Sequence, residues 1–182
     1  VKILKTFLER LRGEQSLNKL IKRGLKIGTN LTRMSGVIID PSHCWHISVG
    51  NNVVLAPNVH ILAHDTSTKP FLGYTKVADV NIGNQVFIGA GTIVLPGVNI
   101  GNNVIIGAGS VVSKSIPDNS VALGVPAKVI CNIDEYLSKE RLAMVTENTF
   151  DASFTLRNPE FNQSHINSMK VSMAHYKKIF VE

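Results

Sequence analysis

Between residues 82 and 117 the aliphatic positions recur every six residues, as IGNQVF, IGAGTI, VLPGVN, IGNNVI, IGAGSV and VSKSIP. The first position is Ile82, Ile88, Val94, Ile100, Ile106 and Val112; the fifth is Val86, Thr92, Val98, Val104, Ser110 and Ile116. An earlier run keeps the pattern, with VGNNVV from Val49, LAPNVH from Leu55 and an incomplete unit at Ile61, and Ile27-Gly28 with Leu31 begins it more weakly. A period of six fits neither an amphipathic helix nor a plain alternating strand. It fits very short strands joined by corners, with three hexads to each coil of a parallel β-helix. First-position aliphatics then fill a narrow interior that larger or polar side chains would leave badly packed. Gly and the Asn-Asn pairs are expected to supply corner conformations of positive φ.

The register breaks once. From Val49 to Ile82 is 33 residues, which is no multiple of six, so a segment leaves the coil between about residues 64 and 79 (HDTSTKPFLGYTKVAD). A second irregularity lies at Pro41–Ser48, which holds His43, Cys44, Trp45 and His46. Loops thrown from a rigid scaffold are where such folds place function.

The two ends are different material. In residues 1–25, Ile3, Leu4, Phe7, Leu8 and Leu11 have helical spacing, and Leu17, Leu20 and Ile21 repeat it after Gly13. Asp134–Asn148 reads as a helix, and Ile166, Met169, Met173, Tyr176 and Phe180 mark the core face of a final one. The organisation expected is an N-terminal helical segment (1–25), a β-helix (26–131) with its excursion, and a C-terminal helical extension (132–182).

Composition narrows the class. The chain has 182 residues, 44% hydrophobic and 6% aromatic, which allows a core of aliphatic and small side chains and excludes intrinsic disorder. No apolar run approaches the roughly 18–20 residues of a spanning helix, no signal peptide is visible, and two cysteines make no disulfide framework, so a cytoplasmic protein is expected. The net charge of +6 sits in the first 33 residues, where nine Lys and Arg face Glu9 and Glu14. Without a nucleic-acid motif beside it, that charge reads as a solvated helix face and no nucleic-acid partner is expected. A membrane-surface helix would look similar.

The hexads, followed by PGVNIGNNVIIGAGSVVSKSIPDNSVALGVPAKVI at 96–130, resemble the hexapeptide-repeat acyltransferases, and most closely the maltose and galactoside O-acetyltransferase-like sugar O-acetyltransferases. The resemblance covers residues 27–131 and hardly touches the ends. It implies an all-β core, a left-handed parallel β-helix with N-terminal and C-terminal helical appendages, assembled as a homotrimer with acetyl-CoA in grooves between neighbours. No metal is implied.

In that family a histidine on the loop after the APNV-type hexad is the general base. Here Ala56-Pro57-Asn58-Val59 leads to His64, at the point where the chain leaves the coil. A histidine, which titrates near neutrality, can take the proton of an attacking sugar hydroxyl and pass it to the departing thiolate. Asp65 or a backbone carbonyl is expected to fix its tautomer, and the amides of Gly89–Gly91 to hold the oxyanion. The resemblance places the cofactor along Ala90, Ala108, Ser113, Lys114 and Lys128, with Phe87 as an apolar wall, and gives Asp40 and Asp65 as weak acceptor-binding candidates. Where galactoside enzymes carry an asparagine for the acceptor, this chain has Arg33-Met34-Ser35.

The reading is therefore an acetyl-CoA-dependent O-acetyltransferase acting on a sugar or polysaccharide precursor. An amino-sugar N-acetyltransferase is the nearest rival. A zinc carbonic anhydrase-like protein is a more distant one, raised by His43, His46, His60 and His64 lying within 22 residues. Serine acetyltransferases have a much longer helical N-terminal domain.

Overall fold

The computed structural model describes residues 15–182; the hydrophobic repeat over residues 3–11 lies outside them. Three parallel sheets carry the hexads, stacked as in a left-handed β-helix. The first sheet pairs Lys26–Ile27, Ile47–Val49, Val80–Ile82 and Asn99–Ile100 in that order. The second runs Thr32–Arg33, Val54–Leu55, Val86–Ile88, Val104–Ile106 and Ser120–Gly124, and closes on an antiparallel strand, Ala127–Asn132. The third stacks Ile38–Ile39, His60–Ile61, Ile93–Val94 and Val111–Val112.

Each first-position side chain from Ile82 to Val112 is at most 3% exposed, and the fifth-position residues beside them are buried as well. Their stacked column is the core. At about 1.5–3 kcal/mol for each fully buried aliphatic, it is the main force holding the coils together.

The coil length varies, and the variation positions the site. Asn81 bonds Asn99, 18 residues on, in the regular part. Ser48 bonds Asn81, 33 residues on, so that coil carries fifteen extra residues. They form the expected excursion, in which His64–Asp65 pairs antiparallel with Lys76–Val77 around a short helix at Lys69–Leu72. Thr29 and Asn51 are 22 residues apart, so the coil between them carries four extra, which the turn of 3-10 helix at Cys44–His46 takes up.

The corners use the sequence in two ways. Asn52, Gln85, Asn103 and Asn119 hold φ of 54–56°, and their neighbours form a ladder: the Asn51, Asn84 and Asn102 amides donate to Oδ1 of Asn84, Asn102 and Asp118 at 2.8, 2.9 and 2.7 Å. The second-position glycines serve otherwise. A Cβ on Gly83 would stand 2.6 Å from the Gly101 carbonyl oxygen, so this glycine answers to close approach between coils and not to positive φ.

The chain divides into two compact units, one running to Asp134 and the other covering Glu135–Glu182. Near their boundary a helix spans Ile133–Ala143, shorter than the expected Asp134–Asn148. Asn148 stops it by taking the Ala143 carbonyl on Nδ2 at 2.8 Å and the Val145 amide on Oδ1 at 2.8 Å. The last helix is Gln163–His175, and Phe180 belongs to a two-residue strand paired with Thr149–Phe150. Its inward stripe centres on buried Ser172, whose hydroxyl bonds the Glu147 carbonyl at 2.8 Å, and Met173 beside it is 49% exposed. No helix among the described residues is long and apolar enough to cross a membrane.

Candidate active site

His64 stands where the chain leaves the third sheet, and the coil beneath brings Asp40 to it. Ile39 pairs with Ile61, so Asp40 lies under the residues that lead into the excursion. Its carboxylate is 1% exposed and completely engaged. Oδ1 accepts from the Ser42 amide at 2.9 Å and the His43 amide at 3.2 Å. Oδ2 accepts from the Ala63 amide at 3.0 Å and is hydrogen-bonded to Nδ1 of His64. Burial pushes this carboxyl's pKa up. The bonds from His64, Ala63 and Ser42, with the charge of the imidazole, outweigh burial and leave it below the ordinary aspartate value. Asp40 is thus ionised near neutrality and can only accept, so Nδ1 of His64 is the donor, and in the neutral ring Nε2 carries the lone pair.

Two expectations meet a different arrangement. Asp40 is buried and four donors already occupy its oxygens, so it presents no open carboxylate to an acceptor hydroxyl. Asp65 does not orient His64. It pairs with Lys76 at 2.6 Å and accepts from the Ser67 amide at 2.8 Å, which hold its carboxyl down to about 2. Adjacent residues of a strand point to opposite sides, so the neighbour in sequence is the wrong place to look for the partner.

The Pro41–Ser48 irregularity supplies the rest of the pocket wall. The ring of His43 packs on that of His64 with centroids 4.8 Å apart, and Trp45 packs on His43 at 5.4 Å. The other histidines disperse: His46 bonds Asp79 at 2.6 Å and His60 lies on the third sheet. Among the described residues only Asp40, His43 and His64 come together, offering ligand atoms within 4.8 Å of one another, with Nδ1 of His64 already given to Asp40.

The cofactor candidates fall at two corners. Ala90 and Ala108 are exposed and stack at the corner entering the third sheet, where the Gly109 amide donates to the Ala90 carbonyl at 2.8 Å. Lys128 continues that edge, paired with Leu123 on the closing strands. Ser113 and Lys114 leave the third sheet at the opposite corner, the one that carries His64 on a lower coil. Phe87 is exposed on the second sheet. The Gly89 and Gly91 amides are not available to an oxyanion, since they donate to the Ile106 and Pro57 carbonyls at 2.9 Å each.

Comparison with known proteins fits this geometry. A family model described as bacterial transferase hexapeptide (six repeats) matches residues 79–114. Protein CapG of Staphylococcus aureus is 38% identical over 143 residues, 74% of this chain and 81% of its own. A maltose O-acetyltransferase structure from Clostridium difficile is 32% identical with a TM-score of 0.52, covering 70% of this chain and 83% of that one. A galactoside acetyltransferase solved in complex with coenzyme A is 26% identical with a TM-score of 0.50, covering 75% of this chain and 82% of that one. Likeness over this much of the chain, beyond the repeat itself, establishes that it belongs to the hexapeptide-repeat acetyltransferases and is an acetyltransferase.

Proposed function

We propose that the protein transfers an acetyl group from acetyl-CoA to a hydroxyl of a saccharide, directly, with His64 as general base. The observation that carries this reading is the buried Asp40 carboxylate on Nδ1 of His64, which leaves Nε2 as the basic nitrogen. The sugar oxygen attacks the thioester carbon as Nε2 takes its proton. The imidazolium so formed sits against the negative Asp40, which favours it. When the tetrahedral intermediate collapses, the C–S bond breaks and the same proton passes to the thiolate, leaving an acetyl ester and free CoA. The saccharide acceptor is supported by the maltose and galactoside enzymes among the similar proteins, and acetyl-CoA by the homologue that holds coenzyme A.

The active unit in this reading is a homotrimer. His64 lies at the corner leaving the third sheet and Ala90 and Ala108 at the corner entering it, so one chain keeps the base apart from that stretch of the cofactor edge. Three chains packed around an axis set the base corner of each beside the cofactor edge of the next.

The test follows free CoA release from acetyl-CoA over a panel of neutral, anionic and amino saccharides. Turnover with hydroxyl acceptors that falls on His64→Ala is expected. Undiminished turnover in that variant overturns the base assignment, and acetylation of amines alone overturns the hydroxyl acceptor.

A further inference from the structure

Beside the Asp40–His64 pair lies an open cleft of about 520 Å³, lined by Gln15, Arg23, Pro41, Ser42 and Trp45. The mechanism makes no use of it. We propose that it is the acceptor's outer subsite and that it selects a saccharide bearing an anionic group, a phosphate or a carboxylate, near the hydroxyl that is acetylated. The proposal rests on the saccharide reading above and refines it.

Four features point this way. Trp45 is 49% exposed, and an open indole face in a cleft is a platform for the apolar face of a sugar ring. Through His43 the same indole is linked to His64 by two ring contacts, with centroids 5.4 and 4.8 Å apart, so one aromatic wall runs from the cleft to the base. Gln15 keeps Oε1 buried with no hydrogen-bond partner among the described residues, an acceptor that a ligand hydroxyl would satisfy. Arg23 is exposed at the cleft and is held there by a bond from Nη1 to the Pro41 carbonyl at 3.1 Å. One donor of its guanidinium is thereby fixed while others remain to meet an anion in a set direction.

Charge agrees with the geometry. From Gln15 to Ile39 the chain carries Lys19, Lys22, Arg23, Lys26 and Arg33 and no acid. The first acid after them, Asp40, is buried and faces His64. A neutral oligosaccharide gains nothing from that field, whereas a glycosyl phosphate, a nucleoside diphosphate sugar or a uronate is drawn in by it.

The experiment compares kcat/KM for matched acceptors: a neutral saccharide, its glycosyl phosphate, its nucleoside diphosphate form and its uronate. Wild type is expected to prefer the anionic members, and the phosphate and carboxylate arms tell which anion is read. Arg23→Gln should lower the anionic-to-neutral ratio by about 10- to 100-fold, the range for one charge-assisted contact, through KM and not kcat. Arg23→Lys should keep part of the ratio, and KM for acetyl-CoA should not move in either variant. Trp45→Ala should raise KM for every saccharide, with Trp45→Phe restoring most of the loss. Equal use of neutral and anionic saccharides, or an unchanged ratio in Arg23→Gln, overturns this proposal and leaves the saccharide reading intact. Acetylation confined to acceptors that are not saccharides overturns both.

Discussion

Asp40 and His64 are 24 residues apart in sequence and share a hydrogen bond across neighbouring coils, with Oδ2 of the buried carboxylate on Nδ1 of the imidazole. The same oxygen takes the Ala63 amide, so the backbone that carries His64 and the ring itself are held by one atom. Replacing Asp40 by Asn keeps the shape and removes the charge, so the ring can adopt the tautomer that lacks a basic Nε2. Asp40→Asn is expected to lower kcat by roughly 10²–10⁴ with little change in KM for acetyl-CoA. Steady-state kinetics in both substrates checks this; unchanged kcat would deny Asp40 its orienting role.

His64→Ala removes the proposed base and one of the four donors on the buried Asp40, which keeps its three backbone donors. Turnover should fall by about 10²–10⁴ and the thermal midpoint modestly, while the affinity for CoA stays close to wild type. Calorimetric titration with CoA separates the two effects. Lost CoA binding would show His64 to be part of the cofactor site instead.

Acid should unfold the protein partly through Asp40. Its folded pKa lies below the ordinary 3.8, so the unfolded chain takes up the proton first as pH falls. The stability it contributes is complete above about pH 4 and is lost as pH drops through the folded value. Thermal midpoints measured from pH 6 to pH 2 should fall steeply at the acid end for wild type and less steeply for Asp40→Asn. Asp65 is held down too, in its case to about 2, but its ion pair with Lys76 is exposed and screened, so Asp65→Asn should change the curve little.

The coil was legible because its register is written locally: a first-position aliphatic meets its equal one coil later, as Ile82 meets Ile100 and Val94 meets Val112. The excursion that starts at His64 was legible as the point where that register fails, and the family resemblance singled out its histidine. Its partner was not, because the Asp40 contact depends on the one coil that is 22 residues long, and the extra residues of Pro41–Ser48 hide the alignment of Ile39 with Ile61. That pairing sets Asp40 opposite Leu62, two residues short of His64, whereas Asp65 is a neighbour in sequence alone. The C-terminal unit was harder still. It buries Asn148 and Ser172 and no large apolar residue, so its helix ends are set by side-chain bonds that the spacing of Ile166, Met169 and Met173 does not mark.

The glycine column gives a stability test of the close-approach argument. In Gly83→Ala the new Cβ would meet the Gly101 carbonyl oxygen and carbon at 2.6 and 2.7 Å, backbone atoms that cannot move without parting two coils. A loss of about 1–3 kcal/mol is expected. Gly73 is the contrast, with φ of +77° in the excursion and nothing within 4 Å of its Cβ position. Gly73→Ala should cost only the backbone term, about 1 kcal/mol. Urea midpoints of the two variants should differ in that order, and the reverse order would place the constraint in φ alone.

The proposed separation of the base from the cofactor edge formed by Ala90 and Ala108 predicts complementation between inactive variants. His64→Ala chains retain the edge formed by Ala90 and Ala108; chains with a bulky Ala108→Trp retain the base. Each alone should be inactive. Co-refolded at equal amounts into mixed trimers, they should recover about a quarter of wild-type turnover, the share of random interfaces that join an intact base to an intact edge. Recovery at that level, together with a trimer mass by light scattering, supports a site shared between neighbours. A monomer, or a mixture as dead as its parts, would return both halves of the chemistry to a single chain and leave the two corners of the third sheet without a reason to carry them.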